Sequence, residues 1–98
     1  MTAQELLAAY AAGERDFIGV DLNGANLLEA NLSGADLREA RLVYANLEGA
    51  DLTGANLEGV NLFEANLRRA NLSGAMLDAA NLEGADFTGA NLEGAIGL

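Results

Sequence analysis

The sequence predicts an all-β solenoid, a parallel β-helix that begins with a short capping helix. Every fifth residue from Phe17 to Leu92 is leucine or phenylalanine, which makes sixteen units without insertion or deletion. Alanine or valine lies two residues before each centre except at Arg15, and Asn or Asp lies one residue before except at Arg41 and Met76. Glycine follows two residues after the centre in ten units.

A period of five fits neither an α-helix nor a flat strand. In an α-helix five residues advance about 500°, so the leucines would spread around the whole cylinder. In a strand an odd period sends successive leucines to opposite faces. The backbone must therefore turn once in every unit to keep all centres on one side. A chain that keeps turning the same way closes into coils, and stacked coils form a solenoid.

The number of units in one coil stays open at the level of the residue pattern. Three units would repeat at 15 residues and four units at 20. The 20-residue step is the more uniform, since it aligns small or polar residues that are each followed by glycine, namely Ser33, Thr53, Ser73 and Glu93. The 15-residue step from Ser33 aligns a mixed set, namely Glu48, Phe63 and Asp78.

The run of A(N/D)LxG units resembles the pentapeptide-repeat family over residues 15 to 94, most of the chain. This resemblance implies a right-handed quadrilateral parallel β-helix of four coils, each of four pentapeptides. It also implies that the central Leu or Phe and the preceding Ala point inward. The segment AAGERDF, residues 11 to 17, resembles the helix-capped starts of some short bacterial members.

Each repeat position has a physical reason. Leucine fills the tube, and alanine is small enough to let a tight corner form. Asn and Asp bond nearby backbone groups at turns, and glycine adopts turn dihedrals closed to other residues. Stacked coils hydrogen-bond at a spacing of about 4.8 Å, so unpaired edges are confined to the two ends.

Residues 1 to 13 are predicted to form the capping helix, and residues 14 to 98 the repeat β-helix of the same single domain. Thr2 with Glu5 is a capping-box pattern, and Gly13 is a natural C-cap. Leu6, Leu7 and Tyr10 give one apolar face. We expect this face to cover the open end of the first coil.

Composition excludes several classes of function. The chain has no cysteine or histidine, so disulfides, thiolate metal sites and imidazole chemistry are excluded. Five arginines stand against fifteen carboxylates, a net charge of −10, which should repel nucleic acid and anionic membranes. The N-terminus lacks the basic start of a secretory signal, and no apolar run approaches the roughly 18 residues of a membrane span. We expect a cytoplasmic protein without a cofactor.

The sequence does not predict an enzyme. The two serines and three threonines have no histidine to activate them. Two carboxylate pairs would stack one coil apart on the first face, Asp16 with Asp36 and Glu58 with Asp78. A leucine-filled tube offers no dry cleft to tune them, so we interpret them as a solvated acidic face. The arginine pairs Arg38 with Arg41 and Arg68 with Arg69 are interpreted as local charge balance.

The predicted function is a non-enzymatic structural or protein-interaction module. The alternative is a DNA-mimic protein that binds a type II topoisomerase such as gyrase, an activity that the resemblance implies for some members of the family. The repeat region carries a net charge of −8 over roughly 19 Å, and duplex DNA of that length carries about 11 charges. The charge is divided among four faces as −3, −2, −1 and −2, so none is a continuous acidic stripe.

Two candidate interaction surfaces follow from the pattern. The first is an apolar patch on the second face, where Val43 and Phe63 share an outward position one coil apart with Tyr44 beside them. The second is the C-terminal association edge, which comprises Phe87, Leu92, Ile96 and Leu98. We expect this edge to support a weak homodimer or the docking of another repeat protein.

Overall fold

The computed structural model describes all 98 residues. The helix α1 spans Ala3–Ala11. Thr2 is its N-cap: the Thr2 side chain accepts a hydrogen bond from the Glu5 amide (3.1 Å), and the Thr2 amide donates to the Glu5 carboxylate (2.8 Å). The predicted capping box is therefore present. The C-cap is Ala12, one residue before the predicted Gly13, which follows in a left-handed conformation (φ 100°). This helix is too short to cross a membrane.

The rest of the chain winds into coils of twenty residues. Thirteen parallel bridges connect these coils, and each joins residues twenty positions apart, from Asp16 with Asp36 to Met76 with Ile96. Four units therefore close one coil. The bridges are isolated, so the expected parallel β-helix contains no strand longer than its bridging residue. The reason is geometric, because a corner in every unit leaves no room for an extended segment.

Three backbone hydrogen bonds per unit connect consecutive coils. In the middle of the solenoid the amide of Leu47 donates to Asn66 (2.7 Å) and that of Gly49 to Arg68 (2.9 Å). In the other direction, the amide of Asn66 donates to the carbonyl of Ala45 in the coil before it (2.9 Å). Each unit thus donates twice to the next coil and accepts once from it. This two-to-one ratio gives the backbone of the stack a polarity.

Every corner is a β-turn closed by the amide of the next alanine or valine. The amide of Ala50 donates to the carbonyl of Leu47 at 3.0 Å, and Gly49 between them has φ 67°. A positive φ at the third turn residue favours glycine, which explains the ten glycines. The other six corners place a non-glycine residue there with φ between 55° and 59°, namely Glu29, Glu39, Tyr44, Glu64, Arg69 and Ala79.

Asn and Asp hold these turns by accepting a hydrogen bond from the amide two residues later, as Asn71 does from Ser73 at 3.0 Å. Arg41 and Met76 have no side-chain oxygen to offer. In the Arg41 unit the amide of Val43 instead donates to Asn23 Oδ1 in the preceding coil, at 2.9 Å.

The core is a single column of apolar side chains. It contains Leu6 and the central residues from Phe17 to Leu77, together with alanines and Val60, and no buried polar or charged residue. The predicted inward positions are therefore the buried ones. The two ends differ. All four centres of the first coil, Phe17, Leu22, Leu27 and Leu32, are at most 2% exposed, whereas Leu82, Phe87 and Leu92 in the last coil are only half-buried.

Candidate interaction surfaces

The C-terminal edge is the side of the last coil that faces away from α1. Its apolar side chains are Leu82, Phe87 and Leu92, which are half-buried, and Ile96 and Leu98, which are 52% and 67% exposed. The structure thus brings together the residues predicted to form the association edge and adds Leu82. They form a partly exposed apolar ring at one end of the core.

The backbone of this edge is unpaired. The amides of Leu82, Gly84, Phe87, Gly89, Leu92 and Gly94 donate to no acceptor in the protein. The carbonyls of Ala80, Ala85, Ala90 and Ala95 receive no hydrogen bond. One coil earlier the equivalent groups are bonded, as the amide of Leu72 is to the carbonyl of Asn91 (2.7 Å). Sequence reasoning found the apolar side chains but not the excess of donors over acceptors, which depends on the pairing between coils.

The side chains around the C-terminal edge are acidic. Asp78, Glu83, Asp86 and Glu93 belong to the last four units, and no arginine or lysine follows Arg69. All four residues are exposed, so none of these carboxylates lies in the core. The edge therefore combines apolar side chains, free backbone donors and a negative rim.

The opposite end of the solenoid is covered by α1. Leu6 is completely buried, and Leu7 and Tyr10 pack against the core. The Tyr10 hydroxyl donates to the carbonyl of Ser33 at 2.6 Å. The guanidinium of Arg15 lies 3.6 Å from the centre of the Tyr10 ring and donates to the Tyr10 carbonyl. Sequence reasoning assigned Tyr10 to an apolar face; its hydroxyl also satisfies a backbone carbonyl of the first coil.

The predicted apolar patch on the second face is present but small. Val43 and Phe63 are half-buried, and Tyr44 is 65% exposed. The Tyr44 and Phe63 rings meet edge to face, with centroids 5.8 Å apart and planes at 87°. Tyr44 occupies a left-handed corner (φ 59°), which turns its side chain away from the core. The two aromatic rings here pack against each other on an otherwise flat wall.

The arginines on the walls contact neighbouring carboxylates. Arg38 binds Asp36 through two hydrogen bonds of 2.9 and 2.7 Å, which lower the pKa of Asp36 and raise the pKa of Arg38. Arg69 pairs with Glu48, and this bond is the largest cause of the lowered pKa of Glu48. Both pairs lie at the surface, where ion pairs contribute little to stability.

The carboxylate pairs predicted on the first face do not form a shared acid–base site. Asp16 and Asp36 lie in bridged positions, but Asp36 is held by Arg38 and Asp16 accepts a hydrogen bond from the amide of Ile18. Glu58 and Asp78 are exposed and make no side-chain hydrogen bond. The cavity of the structure, about 530 Å³, lies at the start of α1 and is lined by no ionisable side chain.

Comparison with known proteins agrees with this architecture. A family model of pentapeptide repeats matches residues 16–54 and 55–94. The crystal structure of alr5209, a pentapeptide repeat protein from Nostoc PCC 7120, is similar at 44% identity and a TM-score of 0.85, covering 96% of this chain and 74% of that one. No curated protein matches the sequence.

Two further solved structures are similar. AT2G44920, a pentapeptide repeat protein of the Arabidopsis thaliana thylakoid lumen, has 30% identity and a TM-score of 0.60 over 87% of this chain and 67% of that one. HetL from Nostoc PCC 7120, which takes part in the regulation of heterocyst differentiation, has 34% identity and a TM-score of 0.53 over 97% of this chain. The match spans 46% of HetL, about half its length. With sixteen units stacked four to a coil and matched by the family model from residue 16 to residue 94, the chain belongs to the pentapeptide-repeat family.

Proposed function

We propose that this chain is a non-enzymatic protein-interaction module, a right-handed quadrilateral solenoid that docks a protein partner through its C-terminal edge. The observation that carries the proposal is the difference between the two ends. The apolar centres of the first coil are covered by α1, with Phe17 1% exposed, while no helix lies over the last coil, where Phe87 and Leu92 are half-buried beside unpaired amides. The ends differ in this cover and not in pairing alone, since first-coil carbonyls such as that of Asn26 also receive no hydrogen bond. An unpaired sheet edge is a template for pairing with another chain.

The walls of the solenoid support docking less well than its end. Along the walls the amides and carbonyls that pair one coil with another are bonded, so a partner finds no unpaired edge there and only single corner carbonyls, such as that of Gly54, are free. The apolar patch of Val43, Tyr44 and Phe63 is limited to three residues, and its two rings already pack together. A partner at the C-terminal edge would cover apolar side chains and pair backbone groups in one contact.

A position-specific crosslink tests this proposal. A photo-crosslinking residue replaces Ile96 at the edge or, as the matched control, Leu28 on the wall of the first coil; the two side chains are 52% and 49% exposed. In cells that produce the protein, the residue at position 96 should give a discrete adduct with one protein that mass spectrometry identifies. Equal adduct patterns from both positions, or none from position 96, would contradict docking at the edge.

DNA mimicry is the alternative function, and the charge density of the repeat region favours it. The net charge of −8 is close to the roughly 11 charges of duplex DNA of about the same length. The arginines on the walls interrupt this negative surface, since Arg38 and Arg69 each pair with a carboxylate and offset its charge. We therefore expect no strong inhibition of gyrase supercoiling at low micromolar protein. Complete inhibition at nanomolar protein, relieved by reversing the acidic residues of one face, would favour mimicry instead.

A further inference from the structure

We propose that the partner at the C-terminal edge is the N-terminal edge of an uncapped pentapeptide-repeat coil in a different chain, with arginine on its rim, which continues the solenoid head to tail. This inference rests on the proposed interaction function and specifies its partner. Two independent observations carry it, the polarity of the backbone hydrogen bonds and the charge of the last coil.

The backbone polarity follows from the pairing inside the stack. The third-coil amides of Leu67 and Arg69 donate to the carbonyls of Asp86 and Thr88 at 2.8 and 2.9 Å. In return the amide of Asp86 donates to the carbonyl of Ala65 at 3.0 Å. Each complete unit at a C-terminal edge therefore presents two N–H groups for one C=O, as the three units from Ala80 to Gly94 do here, and Ala95 adds one further C=O. The complement of such an edge presents two C=O groups for each N–H, and in this architecture the N-terminal edge of a coil has that ratio.

A second copy of this chain does not supply that complement. Two C-terminal edges placed face to face bring four N–H groups against two C=O groups for each facing pair of units, so half of the donors find no acceptor. Buried donors without acceptors are unfavourable. Helix α1 lies over the carbonyl-rich end of a second copy, where Leu6 is fully buried and Tyr10 bonds to Ser33, and so obstructs the stacking of another coil there. The pairing thus favours docking of a different repeat chain over the homodimer.

The negative charge of the last coil favours the same kind of partner. The last four units carry Asp78, Glu83, Asp86 and Glu93 and no cation. A symmetric dimer would place eight carboxylates around one contact, of which only the two of Asp86 have an arginine beside them, Arg68 at 3.8 Å. Like charges across an interface disfavour association. A partner with arginines on the rim of its first coil would meet this negative rim with opposite charge.

A designed solenoid tests the inference. The probe consists of consensus Ala-Asn-Leu-Ser-Gly units with a bare N-terminal coil, arginines on the rim of that coil, and a folded domain fused to close its C-terminal end. A version of the probe whose C-terminal end is left open is the positive control. Its head-to-tail polymerisation shows that the bare N-terminal coil can bind the C-terminal end of another coil. Binding of the labelled 98-residue chain to the closed probe is compared with self-association of the chain.

The expected result is that the probe binds at least about tenfold more tightly than the chain binds itself. The Glu83→Arg, Glu93→Arg variant should weaken binding of the probe by about tenfold or more. The matched Glu29→Arg, Glu39→Arg variant, which makes the same charge change in the first two coils, should leave probe binding unchanged.

Other outcomes overturn the inference. Self-association as tight as probe binding would refute the polarity argument and leave the C-terminal edge as an interaction surface. Absence of probe binding at about 100 µM, with a positive control that grows, would refute the partner proposed here. The crosslinking experiment at Ile96 judges the interaction function separately, because it does not depend on which protein docks.

Discussion

The hydroxyl of Tyr10 occupies the place of a missing backbone donor above Ser33. In later coils the equivalent carbonyls accept an amide of the preceding coil: Gly34 donates to Thr53, and Gly54 donates to Ser73, each at 2.9 Å. Ser33 belongs to the first coil and has no coil before it. Tyr10 supplies the donor from α1 at 2.6 Å. The cap thus bonds to the first coil at one of the carbonyls by which each later coil bonds to the coil before it.

Replacing Tyr10 with phenylalanine should destabilise the protein by about 0.5–1.5 kcal/mol, the usual net value of one hydrogen bond. The ring would remain against the core, so the change isolates the hydroxyl. Tyr44→Phe is the matched control, because the exposed Tyr44 hydroxyl makes no hydrogen bond and its loss should leave stability unchanged. Urea unfolding of the two variants measures the difference. Equal unfolding midpoints for Tyr10→Phe and the native chain would argue against the bond to Ser33.

We expect Asn23 to contribute to stability only because Arg41 has no side-chain oxygen that could accept the amide of Val43. Asn23→Ala removes the oxygen that binds the amide of Val43 and should cost about 1 kcal/mol. In an Arg41→Asn background the new side chain would accept that amide itself, as Asn61 accepts the amide of Phe63 at 3.0 Å. Asn23→Ala should then cost much less. A double-mutant cycle in urea measures this coupling, and additive effects would contradict the exchange of acceptors.

Glycine at a corner is favoured by backbone conformation, and Gly54 shows this without a steric complication. A Cβ atom added there meets nothing within 4 Å, but φ is +66°. Gly54→Ala should therefore cost about 1 kcal/mol. Ala79 holds the equivalent corner at φ 59°, so Ala79→Gly should be neutral or slightly stabilising. Thermal or urea unfolding compares the two variants; a loss of similar size in both would mean that the left-handed corner is not the cause.

Acid should remove the contribution of the Asp36–Arg38 ion pair. Hydrogen bonds from Arg38 hold the pKa of Asp36 below its ordinary value in the folded chain. A carboxyl whose pKa is lowered by folding stabilises the protein above its unfolded pKa, and this contribution is lost as the pH falls through the folded pKa. Asp36→Asn should thus be the less stable chain at neutral pH, by a small amount because the pair is exposed. The difference should begin to shrink below about pH 4 and should disappear only once the pH is below the lowered folded pKa of Asp36. A difference that grows in acid would contradict this assignment.

Some of these features follow from local sequence and others do not. The five-residue spacing of leucine and phenylalanine predicts the units and the inward positions, because each corner is made by residues adjacent in the chain. The capping box of Thr2 and Glu5 is local for the same reason. The residue pattern left the size of the coil open, since coils of 15 and 20 residues both keep the leucines inside; the bridges in the structure settle it at 20.

The features that sequence reasoning missed depend on contacts between distant units. Asn23 and Val43 are twenty residues apart, and Tyr10 and Ser33 are separated by twenty-three. Neither bond is visible until the register between coils is known. The donor excess at the C-terminal edge has the same origin, because it arises from the direction in which one coil donates to the next. Neither the composition nor the repeat motif predicts this excess of donors.

Amide hydrogen exchange tests whether the amides of the last coil that face away from α1 are unpaired, on which the proposed docking surface depends. Leu32, Leu52, Leu72 and Leu92 occupy the same position on one face in successive coils. The first three amides donate to the next coil at 2.7 to 2.8 Å, and the amide of Leu92 has no acceptor. In a dilute sample of the 98-residue chain, the amides of Leu32, Leu52 and Leu72 should exchange roughly 100-fold or more slowly than that of Leu92. Protection of Leu92 equal to that of Leu72 in the monomer would contradict the account.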